Sequence, residues 1–516
     1  MAETGTRFDD EYNAAVDLIA RNLTAGRADK PAFIDINGTH SYGDVERLSN
    51  QAANALTELG VRREQRVLMC MLDTVDFVAV FLGCIKAGIV PVPVNTRLTA
   101  RDYNFMLDDS RAAAVVISEP LYPLFAEGIG THPALDHVIV SGTDAQGHIS
   151  LSGLLGKASG DFEPARTRRD DMCFWLYTSG TTGMPKGAVH LHSHLIESAN
   201  LYAKPILGID EDDVVYSAAK LFFAYGLGNG LTFPMAAGAT AILHAGPPDP
   251  ASVIAILRDK QPTIFYGVPT LYGMLLASGE LPKPGEHAMR LCTSAGEALP
   301  AELLRRWKQA TGTEILDGIG TTEMLHIFLS NRMGDIKPGT TGKPVPGYDL
   351  RLVDEDGIPV PAGEMGTLEV SGPTSAIMYW NQREKSLQTF RGPWTRTGDK
   401  YTVDSEGYYT YAGRTDDMMK VGGIYVSPFE VETAVLTHES VLEVAVVGQP
   451  DQDDLIKPKA FVVLNTGHAA SDDLAQALID HAKAELAAFK RPRWIEFVEE
   501  LPKTATGKIQ RYKLRL

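Results

Sequence analysis

The stretch Tyr177-Thr178-Ser179-Gly180-Thr181-Thr182-Gly183-Met184-Pro185-Lys186-Gly187 decides how the rest of the chain is read. It follows the apolar run Met172-Cys173-Phe174-Trp175-Leu176 and packs three glycines, one serine and three threonines into one turn. That order predicts a buried strand opening into a mobile phosphate loop. Glycines let backbone N–H groups approach an anion, and the hydroxyls and Lys186 add donors and charge. The loop is not a Walker A sequence, which needs glycine before the lysine and Ser or Thr after it. Pro185 and Gly187 stand in those places.

Outward from this loop, the bulk numbers bound the answer. A chain of 516 residues is too long for one core and predicts a large domain with a smaller one. With 44% hydrophobic and 22% charged residues it reads as an ordinary globular protein. A net charge of −17 argues against nucleic acid as partner. Positive field for anionic substrates must therefore be local, supplied by particular Lys and Arg residues. The cysteines Cys70, Cys84, Cys173 and Cys292 form no CxxC pair, which fits buried thiols in a reducing compartment, the cytoplasm. The polar, acidic first ten residues show no signal peptide. The most apolar stretch, 77–94, is broken by Lys86, Gly88 and two prolines, so no membrane span is expected.

Periodicity predicts an α/β protein. Residues 31–42 read as a hairpin around Asn37-Gly38. Strands at 66–72, 89–94, 110–118 and 137–141 alternate with helices at 42–59 and 76–87, the pattern of parallel sheets with crossover helices. Residues 142–170 read as a polar, Gly-rich loop region. After the phosphate loop, strands at 213–218, 239–244 and 263–267 alternate with helical patterns at 194–207, 226–237, 250–260 and 269–279. Residues 340–412 carry short strands with Gly and Pro turns, a small β-barrel-like subdomain. The character changes again at Asp416-Asp417, so the expected domains are 1–415 and a mobile α+β unit, 416–516.

Several further segments, in order and spacing, resemble the adenylate-forming superfamily of acyl-CoA synthetases, peptide-synthetase adenylation domains and luciferases. The phosphate loop matches its signature. Ser294-Ala295-Gly296-Glu297 resembles the loop whose backbone flanks adenine. Asp317-Gly318-Ile319-Gly320-Thr321-Thr322-Glu323 resembles its Y-G-x-T-E motif, with Ile319 replacing the tyrosine expected to stack on adenine. The resemblance implies that Thr322 bonds the α-phosphate and Glu323 holds Mg²⁺, a hard cation suited to one carboxylate plus phosphate oxygens. It implies ribose contacts from Asp399 in Thr397-Gly398-Asp399 and from Arg414. Lys508, in Leu501-Pro502-Lys503-Thr504-Ala505-Thr506-Gly507-Lys508, is implied to be the main catalytic group, acting electrostatically on the substrate carboxylate and α-phosphate. Asp416 matches the hinge about which the C-terminal domain turns between the two half-reactions. Lys420, Gly422 and Gly423 would then line the pantetheine tunnel, and Arg97 would contact CoA phosphates.

The acyl pocket follows from the same resemblance. Peptide-synthetase domains carry an aspartate where this chain has Ala224, so no substrate α-amine is expected. Phe223 resembles the gating aromatic. Together with Thr322-Glu323-Met324-Leu325-His326-Ile327-Phe328 the region looks most like the benzoate–CoA ligase branch, in which Ala224, Tyr225, Gly320, His326 and Ile327 surround the ring. The expected partners are an aromatic carboxylic acid, ATP and CoA, with the chain acting as a monomer or homodimer. Benzoate is favoured, with 4-hydroxybenzoate or another substituted benzoate as alternatives. Transfer to a carrier protein's phosphopantetheine and a nucleotide-binding module without turnover are the competing readings. His190-Leu191-His192-Ser193-His194 places three imidazoles at alternating positions that would face one way on a strand, but no cysteine is near and no zinc-ligand spacing follows.

Overall fold

The computed structural model describes residues 11–178, 184–421, 424–452, 455–503 and 509–515. Its largest sheet has nine strands. The strands Pro31–Asp35, Thr240–Ile242, Val214–Ser217, Ile264–Gly267, Leu291–Ser294 and Ile315–Gly320 run parallel in that spatial order. The hairpin strand Gly38–Ser41 adds antiparallel at one edge, and Ile327–Ser330 with Lys343–Pro344 at the other. A second, five-stranded sheet is parallel throughout: Val90–Pro93, Arg66–Cys70, Ala114–Ser118, His137–Ser141 and Ile149–Ser150. Most of its strands are apolar runs rather than alternating ones, as expected where helices cover both faces. The helix Val75–Lys86 is apolar around nearly its whole girth and is buried along all but one of its residues, Asp76. Lys86, at its end, keeps a partner by reaching the Asn50 Oδ1 at 2.6 Å. No helix among the described residues is long and apolar enough to cross a membrane.

The strand before the phosphate loop, Met172–Thr178, pairs antiparallel with Lys186–Leu191. Two features depart from the sequence-based expectations. Residues 142–170 hold a short strand, Ile149–Ser150, and a helix, Leu151–Leu155. The chain leaves the extended conformation at His192, where the helix His192–Ser198 begins, so the three histidines do not lie on one strand.

Residues 349–414 form an antiparallel five-stranded sheet, with Trp394–Val403 between Gly366–Ser371 and Tyr409–Arg414. Beyond it, the strands Val441–Pro450, Ile456–Leu464 and Trp494–Phe497 carry the helices Pro428–Leu436 and Asp472–Glu485. The hydrophobic clusters there draw only on residues 419–514, and the clusters of the preceding chain reach no further than Tyr411.

Candidate active site

The parallel strands of the large sheet end at one cleft of about 1380 Å³. This is the position ligands take in open α/β sheets, outside the carboxyl ends of the strands. Ser294 and Asp317 are register partners on adjacent strands, so the two loops that follow them leave the sheet side by side. Ala295, Gly296 and Glu297 come from the first loop and Gly318 through Glu323 from the second, and all line the cleft. Gly296 adopts φ +91°, the left-handed region open to glycine. Asp317 is buried with no cation beside it among the described residues, and burial pushes its carboxyl well above the usual carboxylate range. Its Oδ1 has no protein partner among the described residues, leaving an acceptor, or when protonated a donor, at this end of the cleft.

Across the cleft, Asp399 and Arg414 are cross-strand partners. The Arg414 Nη1 donates to the Asp399 Oδ1 at 3.2 Å and to the Thr397 carbonyl at 3.1 Å. Gly398, inside the strand Trp394–Val403, holds φ +78° between the two acceptors. Between the two walls lies the end at which the phosphate loop is expected. Thr178, the last residue of its strand, and Lys186, the first of the return strand, both face the cleft. The Lys186 Nζ stands 4.3 Å from the centroid of the Tyr379 ring, and the Tyr379 hydroxyl donates to the Glu323 Oε1 at 2.5 Å. Burial lowers the Lys186 pKa. Tyr379 had no signal in the sequence: its segment pairs with the return strand through Trp380 N–H to the Gly187 carbonyl and Val189 N–H to the Met378 carbonyl, at 2.8 and 3.0 Å.

The remaining end is apolar. Phe223 caps the short helix Ala224–Leu227, and its ring lies 4.3 Å from that of Phe222. The Tyr225 hydroxyl shares a hydrogen bond of 2.6 Å with the Thr293 Oγ1. The His326 ring is enclosed by Tyr202, Tyr225 and Phe233, with centroids at 5.5, 5.6 and 4.4 Å. Its Nε2 donates to the Tyr225 carbonyl at 3.3 Å, and its Nδ1 has no partner among the described residues. Burial drives its pKa down to about 3, so the ring is neutral. Leu325 sets its height: it holds φ +65°, ψ −47°, with the His326 N–H bonded to the Met324 carbonyl at 2.8 Å, a γ-turn of the strained hand. A brace missed in the sequence holds the Phe222-Phe223 loop. The Asp73 carboxylate accepts the Leu221 N–H at 3.1 Å, while the Lys220 Nζ donates to the Gly246 carbonyl at 2.6 Å.

The cleft therefore puts Lys186 and Glu323, a paired Asp–Arg and a neutral aromatic pocket on one surface. Comparison with known proteins agrees with this arrangement. The family model described as AMP-binding enzyme matches residues 20–380, and that of the AMP-binding enzyme C-terminal domain matches residues 430–508. The chain belongs to the AMP-binding enzyme family. It is 59% identical over 511 residues to the benzoate–CoA ligase of Thauera aromatica, covering 99% of this chain and 97% of that protein. It is 47% identical to the 4-hydroxybenzoate–CoA/benzoate–CoA ligase of Rhodopseudomonas palustris, over 98% of this chain and 94% of that protein. The crystal structure of a benzoate CoA ligase from Burkholderia xenovorans matches with a TM-score of 0.93 and 51% identity, over 98% of this chain and 100% of that one.

Within this AMP-binding fold the remaining predicted positions divide. Phe223, Ala224, Tyr225, Gly320, His326 and Ile327 all line the apolar end, and Arg97 and Asp416 also reach the cleft. Lys420, on the strand Met419–Val421, is exposed and is not part of the cleft wall. Ser179, Gly180, Thr181, Thr182, Gly183, Gly422, Gly423 and Lys508 lie outside the described residues. The chain next to Lys508 does reach the site: the Ile509 N–H donates to the Glu297 Oε1 at 3.1 Å. Among the described residues no three His, Cys, Asp or Glu side chains converge on a metal position. Glu323, a single carboxylate at the phosphate end, suits a cation that draws its other oxygens from phosphate and water. His190, His192 and His194 are structural. The His190 Nε2 donates to the Thr322 carbonyl at 2.8 Å, its Nδ1 meets the His194 Nδ1 at 3.0 Å, and the His192 Nδ1 accepts the Ala14 N–H at 3.2 Å.

Proposed function

We propose that this chain is an AMP-forming acid–thiol ligase that joins benzoate to CoA. The observation that carries the reading is the neutral, aromatic-walled pocket of Phe223, Tyr225 and His326 opening on the same cleft as Lys186, Glu323, Asp399 and Arg414. A carboxylate is a poor electrophile for a thiol. Attack of a benzoate oxygen on the α-phosphorus of ATP forms the mixed anhydride benzoyl-AMP and expels pyrophosphate. The CoA sulfur then attacks the benzoyl carbon, the thiol proton is lost, and AMP leaves with the anhydride oxygen.

In this reading Ala295, Gly296, Glu297, Asp317 and Gly318 hold the base, Asp399 and Arg414 the ribose, and residues 178–183 with Lys186 the phosphates. Thr322 bonds the α-phosphate. Glu323 would hold Mg²⁺, which supplies positive charge against the phosphate oxygens. Ala224, Gly320 and Ile327 complete the ring slot, and a ring with no charged neighbour matches an acid with no second charge. Lys508 stabilises the charge that gathers in the first step; losing such a donor costs about 10²–10³ in rate. Rotation about Asp416 at the boundary between 1–415 and 416–516 then exchanges Lys508 for Lys420, Gly422 and Gly423, with Arg97 on the CoA phosphates.

The test is pyrophosphate release with benzoate, 4-hydroxybenzoate, 2-aminobenzoate, cyclohexanecarboxylate and hexanoate, followed by thioester formation with free CoA. Benzoate leading the panel supports the reading. Hexanoate outpacing every aromatic acid, or AMP forming only with a carrier protein present, overturns it. One observation favours a second substrate, 4-hydroxybenzoate. Neutral His326 lines the apolar end, and its Nδ1 is an acceptor with no partner among the described residues.

A further inference from the structure

Lys186 and Glu323 carry opposite charges at the phosphate end of one cleft, yet they make no direct ion pair among the described contacts. Both are held by Tyr379. The lysine ammonium lies over the ring face, 4.3 Å from its centroid, and the carboxylate accepts the phenolic hydrogen at 2.5 Å. The tyrosine is itself fixed. It is 3% exposed, packs with Ala188, Ala376 and Phe390, and its N–H donates to the Ser386 Oγ at 2.9 Å. Its segment ties to both partners' backbones: Trp380 N–H bonds the Gly187 carbonyl and Ala376 N–H bonds the Glu323 carbonyl, at 2.8 and 2.7 Å.

We propose that Tyr379 is a positioning residue that keeps the phosphate site open by separating Lys186 from Glu323. A phenol suits this task because its two ends differ. The ring face attracts a cation and the hydroxyl donates to an anion. Without it, the nearest partner for a partly buried ammonium is the carboxylate, and an ion pair there would neutralise the charge that an incoming phosphate needs. Each phosphate oxygen that reaches Lys186 would then have to displace Glu323. The inference rests on reading Lys186 as a phosphate-binding lysine, and it concerns nucleotide binding rather than the acid activated.

The test is equilibrium binding of ATP to the full-length protein in EDTA, followed by calorimetry, so that neither turnover nor divalent cation enters. Tyr379→Leu is expected to weaken ATP binding about tenfold, and Tyr379→Phe, which keeps the ring face, by less. Glu323→Gln removes a negative charge and is expected to tighten ATP binding in any background. The diagnostic is the double variant: Glu323→Gln must tighten binding at least about threefold more in the Tyr379→Leu background than in the wild type, since pairs that interact are non-additive. Additive effects, or wild-type ATP affinity in Tyr379→Leu, overturn the proposal. A protein that releases no pyrophosphate with any aromatic acid would refute the ligase reading and leave this binding cycle unaffected.

Discussion

Gly228 decides where the His326 imidazole can lie. A Cβ at position 228 would stand 2.3 Å from the His326 Cδ2 and 2.6 Å from its Nε2. The ring cannot retreat easily, because Tyr202, Tyr225 and Phe233 enclose it. Gly320 plays the matching part on the backbone side, where a Cβ would meet the His326 carbonyl oxygen at 2.5 Å. Gly228→Ala is therefore expected to displace the imidazole, break its bond to the Tyr225 carbonyl and narrow the acyl slot. The KM for benzoate should rise about tenfold or more, the scale of an overpacked contact of 1–3 kcal/mol, with the KM for ATP unchanged. Initial rates of pyrophosphate release measure both, and an unaltered benzoate KM would remove His326 from the pocket wall. The γ-turn at Leu325 belongs to the same design. Its positive φ costs about 1–3 kcal/mol, and the Leu325 side chain, 2% exposed, offsets that by burial while the turn places His326 at the apolar end of the cleft.

The hairpin and the helix after it show how much a single element can hide. Met172–Thr178, Lys186–Leu191 and His192–Ser198 carry three buried histidines, and His326 is a fourth. Burial lowers His190 and His192 to about 4 and His326 to about 3, and holds His194 well below the usual histidine value. A histidine kept neutral in the folded chain binds its proton only when unfolded. Stability is thus fully present above the ordinary histidine value of about 6.5 and is lost as pH falls from there toward 4, by up to about 1.4 kcal/mol per pH unit for each group. Burial acts oppositely on Asp73, pushed up to about 6, and on Asp109 and Asp317, also raised. Those carboxyls take up protons at higher pH in the native state than in the unfolded chain and so favour the native state as pH falls, but the histidines outnumber them. The urea midpoint should fall between pH 7.5 and pH 5; a rise would mean the carboxyls dominate. The sequence made the loops of this cleft legible because turn chemistry is local: the residues at 294–297, 317–323 and 397–399 carry their own glycines, hydroxyls and carboxylates. It hid Tyr379 because pairing of residues 376–380 with a strand almost two hundred positions earlier leaves no periodic trace. Asp73 was hidden likewise, as one acidic residue after an apolar strand whose partner, Leu221, lies far along the chain.

At the scale of the whole molecule, the division of labour between the two half-reactions should be visible where the C-terminal part meets the cleft. Glu297 joins them: its Oε2 accepts from the Thr270 Oγ1 at 3.0 Å, and its Oε1 accepts the Ile509 N–H at 3.1 Å. The neighbouring chain is anchored within its own unit, where Arg511 forms a two-pronged bond to Glu432 at 2.9 and 2.7 Å. Arg515 reaches the proposed hinge from the same side, donating to the Asp416 carbonyl at 3.1 Å and to the Asp417 carboxylate. The contact of Ile509 with Glu297 brings the chain that follows Lys508 to the cleft, and under the proposed function that contact belongs to the first half-reaction. Lys508→Ala should slow benzoyl-AMP formation about 10²–10³-fold while leaving thiolysis of supplied benzoyl-AMP largely intact. Glu297→Ala removes the acceptor for Ile509 and should slow the same half-reaction about tenfold, the scale of one charge-assisted hydrogen bond, again sparing thiolysis. Pyrophosphate release and thioester formation from preformed adenylate, measured separately, distinguish the outcomes. Equal loss in both steps for either variant would mean that one fixed arrangement serves both reactions, and that the contact between Glu297 and Ile509 holds the fold rather than the first step.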